Sequence, residues 1–197
     1  MGLFRKPAPA EPLGVTMAGV KLGQRLLAVG THDARLIAQL ATKAGLTGRA
    51  CVIDDDEARL AKAAAAIEQD GGLIEPVRAP YGMWPLDDGS FDVVVIPDLL
   101  PSLTPDVRAR CVMEVLRVLR PGGRVVVIER AERGGLARIL GGSRGVGGSR
   151  AAPTGAGTGT GAAYSGPVET LRENGFAAVR LLSETDGVAY VEGIKRA

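Results

Sequence analysis

Apolar residues fall along this chain in two alternating patterns. Short unbroken runs end in a glycine, a proline or an acid, and between them apolar positions recur every three or four residues. The runs predict strands buried on both faces, and the periodic stretches predict amphipathic helices. The runs are "QRLLAVG" (24–30), "RACVID" (49–54), "GLIEPV" (72–77), "FDVVVIP" (91–97) and "RVVVIER" (124–130). The fourth is the richest in β-branched residues, which places it centrally in a sheet. The helical stretches are 33–45, 55–72, 104–119 and 166–176. Asp33 and Thr104 stand where caps are needed, Pro105 occupies a first helical position, and Gly45, Gly71 and Gly175 follow the ends. "PGG" (121–123) reads as a turn. Two further strands, 177–184 and 188–196, are joined by "TDG", a hairpin signal.

Alternation of this kind gives an α/β domain with a mostly parallel, doubly wound sheet, helices on both faces and right-handed crossovers. Residues 1–12, with three prolines, read as a flexible arm, and 13–196 as a single domain. Within that domain the Gly-, Ser-, Thr- and Ala-dominated stretch 141–163 has almost nothing to bury and reads as a flexible insert. The basic stretch 130–150 carries too many glycines for a stable helix and reads as an exposed lid rather than a membrane-surface helix.

Composition narrows the function classes. The chain has 197 residues, 46% hydrophobic, enough for a sizeable core. A net charge of +2 and 4% aromatic residues give no footprint for nucleic acid, and none is expected as a partner. Cys51 and Cys111 each lie in an apolar run and read as buried free thiols. The one histidine, His32, has no second histidine with which to form a metal cluster or a relay. No apolar run reaches the roughly 18 residues of a membrane span, and the start of the chain lacks a signal-peptide core and a myristoylation pattern. The expected location is cytoplasmic.

Three segments carry a resemblance. "PLDDGSFDVVV" (85–95), followed after one helix by "VLRVLRPGGRVVVIE" (115–129), with "GRACVIDDDEARLAKA" (48–63) upstream, resembles class I S-adenosylmethionine-dependent methyltransferases, in particular their small type 11 branch. The resemblance covers about residues 17 to 196, outside the Gly-rich insert. It implies a seven-stranded sheet of order 3-2-1-4-5-7-6 with a C-terminal antiparallel hairpin. It implies methyl transfer from S-adenosylmethionine to a small-molecule acceptor. It also implies a cofactor site of Val29, Gly30, Thr31 and His32 after the first strand, Asp54 and Asp55 after the second, Ala79 and Pro80 after the third, and Pro97 after the fourth. The acid at 54 would accept bonds from the ribose hydroxyls. Ligands of such sheets sit at the carboxyl ends of the strands, where the strand order reverses.

The residues depart from that family's pattern at the first loop. Where it has an acid and three glycines, this chain has Ala28, Gly30, His32 and Ala34. A side chain at 32 fits only if the backbone there keeps a negative φ or the loop shifts. After the third strand, Ala79 and Pro80 replace an acid that meets the adenine. Several residues carry two readings. Asp54 is a ribose ligand or a helix-capping acid; Asp98 is a general base or a solvated loop acid. Trp84 flanks the adenine or packs beneath its loop, and Glu129 faces the acceptor or completes the cleft edge. His32 fills the loop, and Asp33 caps the helix. A second function class follows from the departures: a catalytically degenerate domain serving as a binding or assembly subunit for a protein partner. A nicotinamide-dependent oxidoreductase is disfavoured, because no G-x-G-x-x-G follows the first strand.

Overall fold

The computed structural model describes residues 11–130 and 165–197. Its strands are β1 (Arg25–Val29), β2 (Arg49–Asp54), β3 (Glu75–Arg78), β4 (Phe91–Pro97), β5 (Leu119–Arg130), β6 (Ala177–Thr185) and β7 (Val188–Ile194). Its helices are α1 (Leu13–Ala18), α2 (Ala34–Ala44), α3 (Glu57–Gln69), α4 (Pro105–Val118) and α5 (Pro167–Glu173), with a 3-10 turn at Leu100–Ser102. The strands form one sheet ordered β3-β2-β1-β4-β5-β7-β6. The first five run parallel to their neighbours, β7 is antiparallel to β5, and β6 is antiparallel to β7. This is the doubly wound sheet and order that the resemblance implied.

The pattern of side chains explains the layering. β4 lies in the middle of the seven strands, and Val93, Val94, Val95 and Ile96 are all fully buried. Successive strand residues face opposite sides. Val94 and Ile96 pack with Leu27, Ile53, Cys111 and Val115 on the α4 and α5 side. Val93 and Val95 pack with Leu26, Val15 and Leu40 under α1 and α2. Each large aliphatic side chain so buried stabilises the fold by about 1.5–3 kcal/mol relative to exposure.

Local signals set the helix ends. The Asp33 carboxylate accepts from the Leu36 amide at 2.9 Å, and the Asp56 carboxylate from the Arg59 amide at 2.9 Å. Helix α3 therefore starts at Glu57, two residues later than the acidic run suggests. The Gly72 amide donates to the Ile67 carbonyl, which closes α3 and leaves Leu73 exposed. This delays the start of β3 to Glu75, inside the predicted 72–77 run, and the strand ends at Arg78, one residue past it. Thr104 precedes α4 but makes no side-chain cap bond; Pro105 begins that helix. The expected "PGG" turn falls within β5, where the pairing with β4 shifts register between Phe91 and Val93. Helix α1 was not apparent in the periodicity. It is tied down by Arg124, whose guanidinium donates to the carbonyls of Ala18 and Gly19 and pairs with the buried Glu192. Arg180 pairs with the same carboxylate from β6.

The C-terminal hairpin turns at Asp186 and Gly187, with φ of 54° and 73°, between the paired Thr185 and Val188. Two positive φ values in a two-residue loop make the turn that matches strand twist. Tyr190 is buried, and Leu181 is partly buried against the core. Both outer strands are irregular. β3 has four residues including Pro76, while β6 shifts register twice and holds Ala178 at a φ of 46°. The predicted insert at 141–163 and residues 1–10 of the predicted arm lie outside the described residues. Among the described residues, no helix is long and apolar enough to cross a membrane, and no cluster of metal-ligating side chains is present.

Candidate cofactor and acceptor site

The carboxyl ends of β1, β2, β3 and β4 meet at the point where strand order reverses. β1 ends at the buried Val29, and the Gly30 amide still donates to the Ile53 carbonyl at 2.8 Å. Gly30 then turns the chain with a φ of 84°, in the left-handed region that favours glycine. A Cβ there would also lie 3.3 Å from His32 Nδ1 and 3.4 Å from a Leu99 methyl. Non-glycine residues with positive φ among the described residues are Asp98, Ala178 and Asp186. His32 and Ala34 therefore hold ordinary backbone, and His32 points into solvent. The loop tolerates their side chains because Gly30 alone makes the turn.

Asp54 ends β2 and is fully buried. Its Oδ2 accepts from the Thr31 hydroxyl at 2.8 Å. Its Oδ1 accepts from the Asp56 amide at 3.0 Å and from an Arg59 Nη2 at 2.8 Å. Burial alone would raise its pKa. The Arg59 guanidinium first, then the Asp56 amide and the Thr31 hydroxyl, outweigh burial and hold the carboxyl at about 2. Asp55 is exposed and shares the same guanidinium, at 2.7 Å. The capping role weighed for Asp54 belongs instead to Asp56.

After β3, Ala79 is buried and its amide donates to the Asp54 carbonyl at 3.1 Å, while Pro80 is exposed. Tyr81, one residue on, is only 4% exposed, and its buried hydroxyl lies beside the Asp54 carboxylate, at the margin of hydrogen-bonding range and with no close partner. Trp84 is buried in the core beneath this loop, with its backbone amide donating to Glu114 at 2.9 Å. That is the packing role of its two readings.

A cavity of about 340 Å³ opens between α1, the start of α2 and the ends of β4, β5 and β7. Leu13, Leu36, Ile128 and Val188 give it an apolar lining, and Arg35, Arg130 and Asp98 stand among its polar groups. Pro97 lines it from β4. Asp98 is held at a φ of 48°, and its carboxylate accepts from the Arg130 amide at 2.7 Å and from Arg130 Nε at 3.2 Å. Its carboxylate is thus engaged with the end of β5. Burial raises the pKa of the Tyr190 hydroxyl at the cavity wall; Arg130 opposes this, and Asp186, Asp33 and Asp98 add to it. Glu129 is buried and alternates away from Ile128 and Arg130, so it does not line this cavity.

The structure thus brings Thr31, Asp54, Asp55 and Ala79 together, places Pro97 and Asp98 at the neighbouring cavity and leaves His32 and Pro80 on the surface. Reading the sequence missed Arg59 and Tyr81. The spacing of Asp55 and Arg59, four apart at the start of a helix, was a signal for the first; nothing local signalled the second.

Comparison with known proteins agrees with this architecture. Residues 26–123 match a methyltransferase domain family. The chain is 31% identical over 117 residues to the ubiquinone/menaquinone biosynthesis C-methyltransferase UbiE of Idiomarina loihiensis, covering 58% of this chain and 46% of that one. It is 32% identical to the protein of the same name from Pseudomonas putida, covering 58% and 45%. The chain spans about half the length of the curated relatives it matches. Among solved structures, a SAM-dependent methyltransferase from Aquifex aeolicus superposes with a TM-score of 0.68 at 18% identity, covering 92% of this chain and 87% of that one. The [4+2]-cyclase SpnF superposes with a TM-score of 0.64 at 17% identity, covering 94% and 79%. At these identities the structural likenesses carry the fold, and that fold serves more than one named reaction. Sheet order, the acid ending β2 and the matched domain agree: residues 26–123 carry a methyltransferase domain, set in the fold of S-adenosylmethionine-dependent methyltransferases.

Proposed function

We propose that this protein transfers a methyl group from S-adenosylmethionine to a small-molecule acceptor bound in the cavity beside α1. The observation that carries the reading is Asp54: a fully buried, ionised carboxylate at the end of β2, next to the strand-order reversal. A buried charge of this kind needs partners, and a ribose diol donates two hydrogen bonds to such a group. A carboxylate offers about four acceptor positions. Asp56, Thr31 and Arg59 use three here, and Arg59, half exposed, is the one able to leave. The residues therefore fit the ribose of the cofactor. Gly30 lets the backbone approach with no side chain in the way, and Ala79 offers an apolar wall.

S-adenosylmethionine, when bound, supplies a methyl group already activated by its sulfonium. The chain then has to orient, enclose and exclude water. Asp54 and Gly30 fix the cofactor end. The Asp98–Arg130 link holds the ends of β4 and β5 together at the cavity between which the acceptor enters. The apolar wall of Leu13, Leu36, Ile128 and Val188 excludes water from it. The test is calorimetric titration of the full chain with S-adenosylmethionine, repeated on Asp54→Ala, then detection of S-adenosylhomocysteine formed with a panel of small acceptors. Binding that depends on Asp54, with turnover on one acceptor class, is the expected result. No binding up to millimolar cofactor would sink the reading.

A second reading has its own support. Ala28, His32 and Ala34 depart from the family loop, and Arg59 already sits on the carboxylate that the ribose needs. A domain that had lost catalysis and kept its fold for a protein partner would carry these features. The same titration separates the two.

A further inference from the structure

We propose that Tyr81 is a cofactor-positioning residue, its buried hydroxyl donating to a ribose hydroxyl that Asp54 accepts from. The inference rests on the methyltransferase reading above. Tyr81 is 4% exposed, and its Oη is buried with no close hydrogen-bond partner. Buried hydroxyls are normally paired, and one left unpaired costs free energy that phenylalanine in the same place would not. The group is also not stranded in an apolar region. It lies beside the Asp54 carboxylate, within the field of Asp55 and Arg59. Burial, then the charges of Asp54 and Asp55 and a marginal hydrogen bond toward Asp54, raise its pKa, so it stays protonated and a donor at neutral pH.

The chemistry of the pair is complementary. An ionised carboxylate only accepts, whereas a ribose hydroxyl both donates and accepts. Asp54 satisfies the donor half of such a hydroxyl and leaves its oxygen needing a donor. A Tyr81 hydroxyl held beside Asp54, with no close partner of its own, supplies that donor. Ala79 and Pro80, which precede it, offer no polar side chain. Arg59 covers this arrangement from the solvent side, bridging Asp54 and Asp55 with a half-exposed side chain. When it swings outward, the ribose takes its place between the carboxylate and the phenol.

The test is Tyr81→Phe in the full chain, titrated with S-adenosylhomocysteine and with its 2′-deoxy and 3′-deoxy analogues, alongside thermal melting without ligand. The expected result is a dissociation constant about three- to tenfold weaker than the unaltered protein's, the loss of one neutral hydrogen bond. One deoxy analogue should bind the unaltered protein more weakly and show no further loss in Tyr81→Phe. The melting temperature should stay level or rise, because an unpaired hydroxyl is gone. Trp84→Phe, which removes the other unpartnered buried donor nearby, should leave affinity unchanged and so separates positioning from loosening of the loop. If the unaltered protein binds and Tyr81→Phe binds equally well, the positioning role is wrong and the methyltransferase reading stands. If neither binds, both fall.

Discussion

Replacing Arg59 by methionine should make the protein less stable and its cofactor site tighter. The magnitude follows from Asp54. Its carboxyl falls from an ordinary 3.8 to about 2, a preference for the ionised form of about 2 kcal/mol. Three donors share that preference. Arg59 makes the largest lowering contribution, but its side chain is 50% exposed, so solvent screening reduces its share to about 1 kcal/mol. A depressed carboxyl stabilises the fold above its unfolded pKa, and that stability is lost as pH falls through the folded value. Urea unfolding should therefore show Arg59→Met about 1 kcal/mol less stable at pH 7, with the gap closing between about pH 4 and pH 2. An equal gap at pH 7 and pH 3 would mean that Arg59 acts through packing instead. The same change frees an acceptor position on Asp54. Titration with S-adenosylhomocysteine should tighten by about fivefold, the equivalent of the 1 kcal/mol no longer spent displacing Arg59. Weaker binding would refute the argument and make Arg59 itself a ligand contact.

Gly30→Ala forces a side chain onto a φ of 84° and against His32 and Leu99; it should cost about 1–3 kcal/mol in urea unfolding and weaken cofactor binding in the same titration. Glu192→Ala strands the Arg124 and Arg180 charges and loosens α1, and should cost about 2–3 kcal/mol, with Glu192→Gln keeping part of the loss back. Burial pushes the thiols of Cys51 and Cys111 up to about 12, so neither should react with a thiol reagent at pH 8 in the native protein, and both should react once it is unfolded.

How far the sequence speaks depends on whether a signal is local. β2 and β4 match their predicted bounds because each is an apolar run ended by an acid or a proline. β3 is shifted from its predicted 72–77, because the apolar residues that mark the run, Leu73 and Ile74, precede the strand, while Glu75 and Pro76 at the sheet edge have nothing to bury. Helix α1 is six residues long, too short for periodicity, and is fixed by Arg124 from far along the chain. The site follows the same rule. Asp54 is visible as the acid that closes a buried run, and Gly30 as the residue that closes another. That the departures at His32 and Ala34 need no left-handed backbone is a matter of loop path, which residue identity does not encode. The proximity of Tyr81 to Asp54 arises only when β3 is laid beside β2, so no short window contains it.

The irregular outer strands have a consequence for how this protein behaves when crowded. An open sheet ends in two rows of unpaired amides and carbonyls, each a template on which another chain can extend the ladder. On one side Pro76 removes an amide from a four-residue strand; on the other, Ala178 and two register shifts bend the ladder out of line. Neither border offers a straight run to a neighbour. Resistance to fibrous, strand-on-strand aggregation is thus written into the two strands that contribute least to the core, where an irregularity disturbs neither packing nor ligand.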